Sequence, residues 1–290
     1  MAILVLGGTG KVGTHLLKHL IEQAEAVRVV VRKPERAALV PPQAKVVVAD
    51  VLEDPEAASA AFRGVDTVFM LNAVTPQETV EGLLVLAIAK AAGVNRFVYQ
   101  SAHSLAHLHH IPHVGAKLAI EEAVKSSGLA YTIISPNHFF QNDEDTRDAL
   151  LQHSTYLHPF GAVGCWRVDV RDVAEAAARV LTSEGHDGKN YALIGPENLT
   201  GPRCAEAWAN ALGRPVQYEG DIGAYQTAIG PFLPQWLVCD LGLMLAEVGE
   251  HGMLGSAEEL DALTSLLGRP PRRYDDYVAE CVAKWQVPVH

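Results

Sequence analysis

The chain has 290 residues, 49% hydrophobic and 20% charged, which suffices for a large core and excludes a peptide, a disordered tail or a small stapled scaffold. Its 34 acidic residues outnumber 23 basic ones, for a formal charge of −11, which repels a phosphate backbone and argues against nucleic acid as a partner. Cys165, Cys204, Cys239 and Cys281 form no Cys-x-x-Cys pair, and neither a signal-peptide pattern nor an apolar run of about 18 residues is present, so a cytoplasmic protein without a membrane segment is expected.

Short β-branched apolar runs alternate with helical patterns along the chain. AILVLGG leads into GTHLLKHLIEQA, and VRVVVRK into a short helix; KVVVAD and DTVFMLNA precede TVEGLLVLAIAKAAG, with RFVYQSA and AYTIISP beyond. Strands covered by helices on both faces read as continuous apolar runs, and the alternation predicts an α/β fold, a doubly wound and mostly parallel sheet. This pattern occupies residues 1–155. Residues 156–290 read as a smaller, mainly helical region, although VDVRDVAEAAARVLTSEG and KNYALIG, within 165–197, are expected to return to the sheet. The apolar run at 231–248 reads as a core or homodimer-interface helix before it reads as a substrate lid.

The first strand ends directly in Gly7-Gly8-Thr9-Gly10-Lys11-Val12-Gly13, so Gly7, Gly10 and Gly13 have Gly-x-x-Gly-x-x-Gly spacing at a strand-to-helix turn. Glycines there allow a tight turn, close approach to a pyrophosphate and close helix packing, and the helix N-terminus offers N–H groups to phosphate. Thr9, Lys11 and Val12 complete this dinucleotide cradle. A nucleoside-triphosphate loop would need Gly and Ser or Thr where Val5 and Val12 stand. The second strand closes on Arg32-Lys33 instead of the acidic residue of an NAD site, so NADP(H) is expected in preference to NAD(H), the other reading being ordinary surface cations. Asp50, with Val51 beside it, either accepts from the adenine amino group or caps the next helix. Asn72 and Ala73, after the fourth strand, fall along the cofactor by position.

The glycine pattern, Arg32-Lys33, Asp50 and a later Lys117 together resemble the short-chain dehydrogenase/reductase superfamily. More closely, the chain resembles its atypical NmrA-like branch, which includes NAD(P)-binding redox sensors and quinone and triphenylmethane dye reductases. SPNHFFQN at 135–142 is similar to that branch's Arg-Pro-x-x-Phe segment with Ser135 in place of Arg; VDVRDVAEAA at 168–177 and LLGRPPRRYDDYV at 266–278 also fit it. The resemblance implies a Rossmann domain over residues 1–155 and a substrate-binding region over 156–290. Ordinary members carry Tyr-x-x-x-Lys, in which Tyr passes a proton to the carbonyl oxygen and Lys holds the nicotinamide ribose. Here the spacing reads His113-Val114-Gly115-Ala116-Lys117, a departure that itself resembles the NmrA-like branch.

His113 and Lys117 lie one helical turn apart behind Pro112. A helix N-terminus and a nearby lysine both favour neutral imidazole, which still donates a hydrogen bond, so His113 suits electrophilic polarisation better than full proton donation. Ser101 either bonds the substrate oxygen or caps its loop, and Lys117 either holds the ribose or is an exposed helix lysine. Five histidines fall within 103–113. With Pro112 breaking the spacing and no cysteine near, a polar, pH-sensitive loop is preferred to a metal site, and no metal is expected. His138, Phe139, Phe140 and Trp236 are the expected substrate contacts, with Phe160 and Trp166 as further walls of an aromatic pocket. The expected function is an NADPH-dependent reduction of a small conjugated or carbonyl acceptor. The alternatives are a non-catalytic NADP(H)-sensing regulator and a non-redox lyase or isomerase.

Overall fold

The computed structural model describes residues 1–23, 26–103 and 105–286. Its strands are β1 (Ala2–Leu6), β2 (Ala26–Val31), β3 (Lys45–Val48), β4 (Thr67–Met70), β5 (Arg96–Gln100), β6 (Ala130–Pro136), β7 (Thr155–Tyr156), β8 (Lys189–Leu193) and β9 (Gln217–Tyr218). The first helices are α1 (Gly13–Gln23), α2 (Pro55–Phe62), α3 (Glu78–Ala91), α4 (Leu105–Leu108) and α5 (Pro112–Lys125). They are followed by α6 (Arg147–His153), α7 (Val170–Thr182), α8 (Gly201–Leu212), α9 (Ile222–Ile229), α10 (Gln235–His251), α11 (Ala257–Leu267) and α12 (Tyr274–Gln286).

The chain divides into two units. Unit 1, Met1–Pro136 with Val170–Ala192, is the doubly wound sheet in the order β3-β2-β1-β4-β5-β6-β8 among the described residues. The pairings from β3 across to β6 are parallel. Ile3, Leu4 and Val5 of the central strand are fully buried, because helices cover both faces. On one face Ala58, Phe62, Val85, Ala89, Ile120 and Val124 of α2, α3 and α5 join one apolar cluster with the strands, while α1 packs against α7. Strand order reverses between β1 and β4, and Leu6 pairs with both Val30 and Met70. The ends of β1, β2 and β4 are therefore level where a crevice opens in sheets of this kind.

The chain enters unit 2 at Asn137, directly after β6, instead of near residue 156, and the segment that rejoins the sheet is Val170–Ala192. Side chains tie that return in place. The Arg96 guanidinium donates to the Val180 carbonyl at 2.8 Å, and Thr132 Oγ1 donates to the His186 carbonyl at 2.8 Å. Helix α2 is an element the alternating pattern passes over, since its only large apolar residue is Phe62. Its start is set by Pro55 and by Asp54, whose side chain accepts from Ala57 N at 2.9 Å. Asp50 does not cap it: Oδ1 of Asp50 accepts from Leu52 N and Glu53 N, closing the turn after β3.

Unit 2 comprises Asn137–Asp169 and the chain from Leu193 onward. Its interior holds an ion pair with both partners fully buried, Arg167 Nη2 to Asp143 Oδ1 at 2.7 Å. Asp143 also accepts from Tyr156 Oη (3.1 Å), Trp208 Nε1 (3.2 Å) and Tyr274 Oη. Burial pushes the Asp143 carboxyl up, yet Arg167 foremost, with the Tyr274 hydroxyl, holds it below the ordinary carboxylate range. The arrangement satisfies a buried charge from four separate segments, as a buried carboxylate requires. Helix α10, over the apolar run expected to be a core or interface element, buries Val238, Met244, Leu245 and Val248 and leaves Trp236 and Leu243 exposed.

His158 is fully buried beside this pair, its Nε2 3.6 Å from Asp143 Oδ1. Burial lowers its pKa from 6.5 to about 4, against the pull of Asp143. The unfolded chain therefore binds the proton first as pH falls, and stability drops between pH 6.5 and about 4. The loss expected from this group is about 3 kcal/mol. Chemical denaturation as a function of pH is expected to show a shallower fall in His158→Phe than in the parent; identical slopes in the two proteins contradict the assignment.

Candidate functional site

The crevice at the strand reversal has a volume of about 710 Å³. Residues just beyond four strand ends reach it: Gly7, Thr9 and Gly10 after β1, Arg32 and Lys33 after β2, Asp50 and Val51 after β3, and Asn72 and Ala73 after β4. Nine of the residues expected from sequence to contact a dinucleotide thus line one cavity within unit 1. Lys11, Val12, Gly13 and Lys117 are not among its lining residues. Val12 is 1% exposed and anchors the turn from inside. Gly13 acts through closeness: a Cβ there would overlap the Gly7 carbonyl oxygen and the Gly8 backbone. Gly7 has φ +84°, and its added Cβ would lie 2.5 Å from the Leu71 carbonyl oxygen. These absences bring α1, β1 and the end of β4 together and direct the helix N-terminus toward the cavity.

Three charged side chains lining the cavity, Glu35, Arg36 and Glu81, were not read from the sequence as contacts. Pro34 starts a one-turn 3-10 helix over Pro34–Leu39, which carries Glu35 and Arg36 to the cavity beside Arg32 and Lys33. The available signal was Pro34 at a helix start, one turn before Arg36. Glu81 lines the cavity from α3, and no sequence motif marks it. The fit to a phosphorylated dinucleotide rests on three features: the glycine turn that a Cβ would block, three cations, and two buried acceptors, Asn72 Oδ1 and Glu81 Oε2, without a hydrogen-bond partner.

Lys117 is buried in unit 1, and its Nζ donates to Glu78 Oε1 at 2.6 Å, with Glu78 fully buried. Helix packing creates this pair. A Cβ at Gly82 would run into the Ile120 side chain, so α3 and α5 approach closely there, and Glu78 and Lys117 meet one turn earlier on each helix. Tyr99, also fully buried, has a hydroxyl without a hydrogen-bond partner; burial and the nearby Glu78 and Glu121 push its pKa up. Lys117 is therefore oriented by a carboxylate and is not an exposed helix lysine.

Ser101 follows β5, is 3% exposed, and its Oγ has no hydrogen-bond partner. This hydroxyl caps nothing, and its loop is held instead by Ser101 N donating to the Ile134 carbonyl. His113 is half-buried in the first turn of α5. Of the other histidines in the cluster, His103 is buried and His107, His109 and His110 are exposed. Among the described residues no group of three His, Cys, Asp or Glu side chains is placed to hold a metal ion.

The aromatic residues expected to wall a substrate pocket have separate fates within unit 2. Phe140 is fully buried, 5.1 Å from the Tyr274 ring and 5.6 Å from the Tyr277 ring. Its ring belongs to the core, which withdraws it as an open contact surface. Phe160 is likewise buried and stacks on His158. His138 and Phe139 are half-buried, and Trp236 is 36% exposed on α10.

A family model described as NAD(P)H-binding matches residues 7–184. The NAD(P)H azoreductase of Xenophilus azovorans is 29% identical over 95% of this chain and 96% of its own length. The (4-alkanoyl-5-oxo-2,5-dihydrofuran-3-yl)methyl phosphate reductase of Streptomyces griseus is 32% identical over 96% of this chain and 97% of its own length. Among solved structures, the NADPH-dependent quinone oxidoreductase of Escherichia coli in complex with NADPH superposes with a TM-score of 0.85 at 25% identity, covering 98% of this chain and 99% of that one.

Gly13→Ala is expected to destabilise the protein by at least about 3 kcal/mol, since the added methyl meets rigid backbone that cannot rotate away. Urea denaturation followed by circular dichroism measures it, and an unchanged midpoint would contradict the close approach.

Proposed function

The chain belongs to the NAD(P)H-binding family, and from that premise we propose that it is an NADPH-dependent reductase of small, flat, conjugated acceptors such as quinones, azo dyes and enones. The observation that carries this reading is the cavity of unit 1, lined by both the glycine turn and the cations Arg32, Lys33 and Arg36. The relatives add the acceptor class: an azo bond, a dihydrofuranone and a quinone are all electron-poor conjugated systems.

When bound, the cofactor supplies the hydride. The residues of the chain bind and orient. The turn at 7–13 receives the pyrophosphate on backbone N–H groups, and the three cations take the 2′-phosphate, which NADH lacks. Lys117, held by Glu78, presents its remaining ammonium hydrogens to the nicotinamide ribose. Ser101 Oγ, buried without a partner, and the imidazole N–H of His113 donate toward the acceptor oxygen or nitrogen on which negative charge develops. His113 stands where ordinary short-chain members have tyrosine, and it polarises there as a neutral donor. A cofactor-sensing regulator is the second reading, favoured by the same His113.

Purified protein saturated with NADPH is expected to oxidise it with at least one member of a panel of quinones, azo and triphenylmethane dyes and enones. His113→Phe is expected to lower turnover with NADPH binding retained, which separates enzyme from sensor. A panel in which no acceptor is reduced above background sinks the catalytic reading. In a second measurement, the double replacement Arg32→Ala with Lys33→Ala is expected to weaken NADPH binding by about tenfold or more, the worth of one charge-assisted hydrogen bond. NADH binding is expected to stay within about twofold. Equal losses for both nucleotides would remove the cations from the 2′-phosphate.

A further inference from the structure

The cavity of unit 1 holds a polarity that the phosphates do not account for. Glu81 and Asn72 both line it, at 7% and 8% exposure. The Asn72 side chain hydrogen-bonds the Glu81 carboxyl, yet Oδ1 of Asn72 and Oε2 of Glu81 have no hydrogen-bond partner. Two buried oxygens left without donors are costly unless a ligand supplies the hydrogens. Charge close by is mixed. Burial raises the Glu81 pKa and Asp50 adds to it, while Arg32 opposes both. Val30, Ala49, Val51 and Leu71 supply apolar surface to the same cavity, suited to the faces of a flat ring.

Phosphate does not satisfy these two atoms, because it brings only acceptors to acceptors. A ribose brings hydroxyl hydrogens but no flat face to lie on Val30, Ala49, Val51 and Leu71. An exocyclic amino group on an aromatic base brings two hydrogens in the plane of a ring, one for each orphaned oxygen. We propose that Glu81, positioned by Asn72, is a specificity-determining residue that selects a 6-aminopurine in the bound nucleotide, accepting from its amino group. This rests on the reading of the cavity as the NADPH site and adds to it a discrimination of the base by a residue of α3. The Asn72–Glu81 bond fixes both side chains, so the acceptors are arranged before the nucleotide arrives.

The test compares NADPH with its hypoxanthine analogue, in which a carbonyl oxygen replaces the amino group and the phosphates and sugars are unchanged. Calorimetry on the full chain is expected to show NADPH bound about tenfold more tightly, since the analogue sets oxygen against oxygen and leaves buried acceptors unpaired. In Glu81→Leu the ratio is expected to fall to about twofold, while the ratio of NADPH to NADH affinity, set by the cations, stays within about twofold of the parent value. Glu81→Gln, which keeps the shape and the bond to Asn72, also narrows the ratio, because its amide N–H donates to the analogue's carbonyl. That variant carries the test if Glu81→Leu fails to fold. Tight NADPH binding with an unchanged base ratio in either folded variant overturns this proposal alone, as does an equal loss for both nucleotides. A parent protein that binds neither nucleotide overturns the cofactor reading and this proposal with it.

Discussion

The close approach at the first turn constrains everything built around the cavity. With no side chain at residues 7 and 13, the Gly7 carbonyl sits where a Cβ of residue 13 would be, and Leu71 lies against Gly7. Helix α1 can therefore start directly under the end of β1, and the end of β4 closes alongside. Strand register does the rest. Once the ends of β1, β2 and β4 are level, the residues immediately beyond them face one space, and residues far apart in sequence become neighbours. The turn after β3, closed by Asp50 Oδ1 on Leu52 N, sets the fourth wall.

Unit 2 is organised differently. Where unit 1 depends on apolar strands between helices, unit 2 gathers Tyr156, Trp208 and Tyr274 on one carboxylate paired with Arg167. A buried ion pair gains little net stability over well-packed apolar groups, but losing either partner strands a charge in the interior. Such a network enforces one arrangement: the short helical turn at 140–146, α8 and α12 must all reach Asp143 at once. His158 beside it is held toward the neutral form by burial, which outweighs the pull of Asp143.

Lys117 and Glu78 show how an ordinary packing contact prepares a functional group. The pair forms because Gly82 lets α3 and α5 touch at Ile120. A lysine that would otherwise sample many rotamers is held at one, and its charge is compensated in a buried setting. With His113 one turn before it, the first two turns of α5 carry two side-chain donors of different kind, an ammonium and an imidazole.

Much of this was legible in the amino-acid order. Periodicity and glycine spacing specify a doubly wound sheet with a dinucleotide turn after its first strand, because strand burial, strand-to-helix turns and backbone approach to phosphate are local consequences of residue type. Gly7, Arg32, Asp50 and Asn72 were readable because each lies one or two residues beyond a strand, and strand ends converge by rule in such sheets. Other features depended on contacts between distant segments. Arg36 reaches the cavity through a short helical turn, Glu81 through the placement of α3, and Lys117 acquires Glu78 only through helix packing. Phe140, which composition offers as a substrate wall, is claimed by the core around Tyr274 and Tyr277. Sequence alone determined the sheet and its phosphate turn, since both follow from local pattern; the tertiary structure decided which side chains share a space, because burial and pairing are properties of neighbours that the chain order does not list.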